Sequence, residues 1–82
     1  MNAGLNCPGC DLKHETLGGT YTGKDLRNAD LTSANLTGAN FQNANLNGAT
    51  LTDATYSNTD FSGAIWFDGT TCDAGSIDAC NH

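Results

Sequence analysis

Residues 29–64 read ADLTS, ANLTG, ANFQN, ANLNG, ATLTD, ATYSN, TDFSG and A, a five-residue phrase repeated without a break. Large apolar residues recur at Leu26, Leu31, Leu36, Phe41, Leu46, Leu51, Tyr56, Phe61 and Trp66. A small residue stands two places before nearly every one: Ala29, Ala34, Ala39, Ala44, Ala49, Ala54, Thr59 and Ala64. Neither the period of a helix nor the alternation of a strand keeps all these residues on one side, so the chain must turn once per phrase. The turn formers stand two places after each large residue: Asn28, Ser33, Gly38, Asn43, Gly48, Asp53, Asn58, Gly63 and Asp68. These residue types tolerate positive φ or bond their own backbone.

The A(D/N)LXX phrases with Leu or Phe at the centre resemble the pentapeptide-repeat family from about Leu5 to Thr71. The resemblance implies an all-β fold, a right-handed quadrilateral β-helix with four phrases per coil and the large and small residues facing inward. Residues twenty apart then stack, and the sequence carries matching columns: Tyr21, Phe41 and Phe61; Leu26, Leu46 and Trp66; Leu31, Leu51 and Thr71; Leu36 and Tyr56. Offset stacking favours such an aromatic column in a narrow interior. Cys7, Leu12 and Leu17 keep the spacing but sit one residue out of register, the missing residue falling near Gly18 and Gly19. Corrected by one, they lie beneath Leu26, Leu31 and Leu36. Leu5, Cys10 and Glu15 then take the small inward positions. Glu15, and Lys24 in the main frame, put charge where Ala is usual, so both are expected at the open end with their heads in water.

The chain reads as one domain, with an irregular N-terminal coil over 1–20, regular repeats over 21–71 and a C-terminal cap over 72–82. At the strand spacing of a sheet, three to three and a half coils stand only ~15 Å tall, and solenoid ends need covering. Trp66 is large for a Leu position, and Ile65 and Phe67 flank it, which marks these three as an interaction surface if the C-terminal segment leaves them bare. Ile77 is the apolar contact expected of that segment. NCPGCDL at the start and GTTC…GS…C at the end resemble small cyanobacterial members of the family.

In 82 residues, nine acidic groups against three basic ones give a net charge of −6. That balance argues against nucleic acid and anionic membranes as partners. MNAGLNC lacks the features of a signal peptide. Cys72 and Cys80 close a short loop and are read as a disulfide; Cys7 and Cys10 fit small buried hydrophobes or a local disulfide, the latter preferred. Oxidised cysteines imply an extracytoplasmic site, periplasm or thylakoid lumen, and reduced ones the cytoplasm. The two pairs belong to opposite ends, so no shared metal site is expected.

No catalytic set, cofactor or metal centre is read from the sequence. His14 sits near the ragged end and His82 is terminal, so no oriented nucleophile and base emerge. The leading expectation is a non-enzymatic structural or protein-interaction module of unknown partner, with a homodimer contact around Ile65 to Phe67. One alternative is an acidic DNA mimic, since some longer family members bind DNA gyrase. Another is an ice-binding wall, with Thr50-Leu51-Thr52 beneath Thr70-Thr71-Cys72.

Overall fold

The fold begins with its corners. In the computed structural model, which describes residues 7–78 and Cys80, the carbonyl of each large residue accepts a bond from the N–H three residues on. Ala29 donates to Leu26 at 3.2 Å, Ala34 to Leu31 at 3.0 Å, Ala39 to Leu36 at 3.0 Å and Ala49 to Leu46 at 2.9 Å. The third residue of each corner has positive φ: 61° at Asn28, 59° at Ser33, 74° at Gly38 and 77° at Gly48. With the second residue outside that region, these are type II turns. The Asp or Asn before each centre supports the corner from the other side. Its Oδ1 accepts from the N–H two residues on, as in Asp30 to Thr32 (3.1 Å), Asn35 to Thr37 (3.0 Å), Asn40 to Gln42 (2.9 Å) and Asn45 to Asn47 (3.0 Å). The second letter of the phrase is therefore a local turn device.

Between corners each side is too short for an extended strand, and the described residues pair through isolated parallel bridges. Asp11 pairs with Asp30 and Thr16 with Asn35, a separation of 19 residues. From Thr20 with Asn40 to Asn45 with Ile65 the separation is 20. The lost residue thus falls between Thr16 and Thr20. Gly19, with φ of 120°, takes the adjustment. Leu5 and His82 lie outside the described residues.

Inside the stack, Leu31, Leu36, Phe41, Leu46 and Phe61 are fully buried, with Ala29, Ala44 and Ala64 beside them. Tyr21 stacks on Phe41 at 4.9 Å between centroids, and Phe41 meets Phe61 at 5.9 Å. Thr59 is also fully buried, and its hydroxyl donates to the Leu36 carbonyl at 2.5 Å, which satisfies the buried polar group in this Ala position. Glu15 and Lys24 are half-buried.

The register departs from expectation after Ile65. Asp68 reads as one more corner residue, yet the positive φ falls on Gly69, at 86°. Trp66 N–H donates to Thr70 O at 2.7 Å and Gly69 N–H to Trp66 O at 2.9 Å, so the chain doubles back. Thr71 then pairs antiparallel with Ile65, and Ile77 with Asp60. Thr71 does not stand above Leu51, and the parallel register stops short of residue 71. A bulky indole at the column top accompanies this reversal: Trp66 lies edge-on to Phe61 at 4.8 Å and to Tyr56 at 5.9 Å. Ile77 stays 42% exposed rather than packing inward; Cys72 and Ser76 are the buried residues of the returning segment. Their carbonyls accept from Gly63 N–H at 3.0 Å and Phe61 N–H at 2.7 Å.

Candidate interaction site at the open edge

The returning segment covers only part of the last circuit. On two walls it meets the rising backbone, as the bonds from Phe61 to Ser76, Gly63 to Cys72 and Cys72 to Ala64 record. Asn58 N–H is met by the Asp78 carboxylate. The wall from Ala49 to Tyr56 is left out. One circuit below, Leu31, Ser33 and Leu36 N–H donate upward to Thr50, Thr52 and Thr55 carbonyls at 2.8, 2.8 and 2.7 Å, and Ala29 and Ala34 carbonyls accept from Thr50 and Thr55 at 2.9 Å each. The equivalent groups of the next circuit are the N–H of Leu51, Asp53 and Tyr56 and the carbonyls of Ala49 and Ala54. Among the described residues none of these five has a hydrogen-bond partner.

The same place is a notch. A cavity of about 390 Å³ is lined by Ala49, Thr50, Leu51, Thr52, Tyr56 and Phe67. Leu51 and Tyr56 are half-buried, whereas Leu31 and Leu36 directly beneath them are fully buried. Phe67 is 43% exposed and rests against Trp66 at 5.1 Å. Unpaired backbone next to an uncovered apolar floor is the chemistry of a strand-pairing edge.

Charge is separated along the chain. Lys13, Lys24 and Arg27 are the only basic residues, and Asp11, Glu15 and Asp25 balance them. Beyond Arg27 stand Asp30, Asp53, Asp60, Asp68, Asp73 and Asp78 with no Lys or Arg. Arg27 is held by Asp25 through two bonds of 2.8 Å, which lower the Asp25 carboxyl below its usual range. Asp30 is lowered as well, first by the Thr32 hydroxyl at 2.6 Å and then by the Thr32 N–H. Burial raises the Tyr21 phenol, whose hydroxyl donates to Gly18 O at 3.3 Å.

Of the three residues singled out in the sequence as an interaction surface, Trp66 is buried. It is 7% exposed, Ile65 is half-buried against Thr71, and Phe67 alone of the three lies open. The sulfurs of Cys7 and Cys10 and of Cys72 and Cys80 lie at bonding distance, with Cα atoms 5.5 and 5.0 Å apart. Cys72 is buried; Cys7, Cys10 and Cys80 pack partly buried against the core. His14 occupies an exposed corner with φ of 62°. Among the described residues no three His, Cys, Asp or Glu side chains converge as a metal site, and no helix is long and apolar enough to cross a membrane.

A family model described as pentapeptide repeats (8 copies) matches residues 18–48 and 44–65, more than half of the chain. The chain belongs to the pentapeptide-repeat family. Its fold is accordingly a solenoid of the β-helix type. The pentapeptide repeats are matched up to Ile65, the residue at which the last parallel bridge forms. No curated protein and no solved structure matches the chain.

The open edge of this pentapeptide-repeat protein was not legible from the repeat itself. Two signals bear on it: the loss of the phrase after Asp68, and the absence of any basic residue beyond Arg27.

Proposed function

We propose that this chain is a non-enzymatic protein-interaction module. Its architecture is a right-handed, four-sided stack of three to three and a half coils, with the returning segment as its C-terminal cap. The observation that carries the reading is the open edge. From Tyr21 to Gly48 the N–H of each centre and of the residue two places after it is paired to the circuit above, and the residues before most centres are occupied in supporting turns. The wall from Ala49 to Tyr56 combines unpaired backbone groups with an apolar floor.

The cysteine geometry supports both pairs being oxidised in the working protein. With the likeness of both flanks to cyanobacterial family members, it favours an extracytoplasmic compartment, periplasm or thylakoid lumen. Immobilised oxidised protein is expected to retain a specific protein from the soluble fraction of that compartment, released by excess free chain. A chain that retains nothing, or retains the same proteins after thermal unfolding, contradicts the module.

Charge separation favours the acidic DNA mimic as a second reading. Its shape does not: a body of 27 × 23 × 21 Å lacks a long axis along which to copy a duplex. Inhibition of gyrase supercoiling at micromolar protein would establish that reading in place of the first. The ice-binding wall is not retained, because Thr70 and Thr71 run back over Ile65 and form no ladder above Thr50 and Thr52.

A further inference from the structure

We propose that the edge from Ala49 to Tyr56 binds an extended basic segment of a partner protein by strand addition. This rests on the interaction-module reading and names the site and the partner's chemistry. A segment laid along the wall accepts bonds from Leu51 and Asp53 N–H and donates to the Ala49 carbonyl, repeating the pattern that Thr50 and Thr52 make with Leu31, Ser33 and Ala29 one circuit below. In an extended segment alternate side chains face opposite ways. The residue above Leu51 therefore enters the notch between Leu51, Tyr56 and Phe67, and its two neighbours point outward. An apolar side chain suits the first position.

Charge selects the neighbours. Asp53, exposed, follows the lining residue Thr52, and the sequence from Asp30 onward carries six carboxylates with no Lys or Arg. A basic residue beside the apolar one answers Asp53 and this acidic stretch. A second copy of this chain does not, because edge-to-edge pairing brings Asp53 against like charge. The antiparallel pairs Ile65 with Thr71 and Asp60 with Ile77 demonstrate that the top of the circuit accepts a strand in the direction opposite to the repeats, so either orientation of the segment is compatible with the edge.

The test uses the full oxidised chain and the peptide acetyl-Thr-Arg-Leu-Arg-Thr-amide, followed by amide chemical shifts and hydrogen exchange. Binding with a dissociation constant of about 100 µM is expected for so short a strand. Perturbation should centre on Leu51, Asp53 and Tyr56, with slowed exchange at Leu51 and Asp53. Replacing both peptide arginines by Asp should weaken binding at least ~10-fold, and replacing its Leu by Gly about 10-fold. Asp53→Asn keeps a residue suited to positive φ and should weaken binding about threefold, less at high salt. Phe67→Ser, at an exposed position, should weaken it while leaving the melting temperature within about 2 °C.

Perturbation confined to other walls overturns the proposal, as does affinity indifferent to peptide charge. Protection of the same amides in free protein, rising with concentration, overturns it in favour of self-pairing. A retained natural partner that protects a different wall removes this edge but leaves the interaction module standing. If neither the peptide nor any protein binds, both fall.

Discussion

Asn28 and Gly48 occupy the same corner in successive circuits, and the Asn28 Oδ1 stands where a β-carbon on Gly48 would fall. Asn43 and Gly63 repeat the relationship on another corner. A corner thus constrains the corner above it as well as its own φ.

Two glycine substitutions separate these effects. Gly38 has φ of 74° and open space where a β-carbon would stand, whereas Gly48 has φ of 77° with Asn28 in the way. Gly38→Ala should lose about 1 kcal/mol through φ alone. Gly48→Ala should lose about 1 kcal/mol more, regained when combined with Asn28→Gly. Urea unfolding of the four proteins measures the difference.

The buried Thr59 hydroxyl fills an Ala position by bonding the Leu36 carbonyl at 2.5 Å. Thr59→Val preserves shape and removes that bond. It should cost about 1 kcal/mol in chemical denaturation.

Acid should weaken the fold through Asp25 and Asp30. Both carboxyls are lowered in the folded state, Asp25 by Arg27 and Asp30 by Thr32. Their stabilisation is present above the unfolded carboxylate value, about pH 4, and is lost as pH falls through the lower folded values. Asp30→Asn keeps an acceptor for Thr32 N–H, as Asn40 does for Gln42, and should flatten the acid limb of a melting-temperature profile. Tyr21 acts in the other direction. Its phenol is raised by burial, so its contribution is present below about pH 10 and lost above, and Tyr21→Phe should remove that alkaline loss.

Reduction tests the cysteine pairs. Closing the short Cys72 to Cys80 loop should contribute roughly 2–3 kcal/mol. Intact mass without reductant should be lower by four hydrogens than the fully reduced chain, and reductant should lower the melting temperature. Four free thiols in protein purified without reductant would contradict the proposed oxidation.

What the sequence made legible is what repeats locally. The corners at Asn28, Ser33, Gly38, Asn43, Gly48, Asp53, Asn58 and Gly63 all carry positive φ, because each needs only its own five residues to form. The slip near Gly19 was readable for the same reason, as a shift between two regular frames. The end of the stack was not. Asp68 has the chemistry of Asp53 but its turn forms at Gly69, and the difference lies in non-local bonds from residues 70–78 to residues 59–66 that no periodicity announces. The exposure of Ile77 and the burial of Ser76 follow from that same antiparallel register. So does the gap over Leu51 and Tyr56.

Amide hydrogen exchange on the free oxidised chain reads the open edge itself. Leu31, Ser33, Leu36 and Gly38 N–H donate to the circuit above and should exchange slowly, while Leu51, Asp53 and Tyr56, one circuit higher in the same columns, should exchange at rates near those of exposed backbone. Slow exchange at Leu51, Asp53 and Tyr56 in dilute monomer would contradict the open edge and, with it, strand addition at this wall.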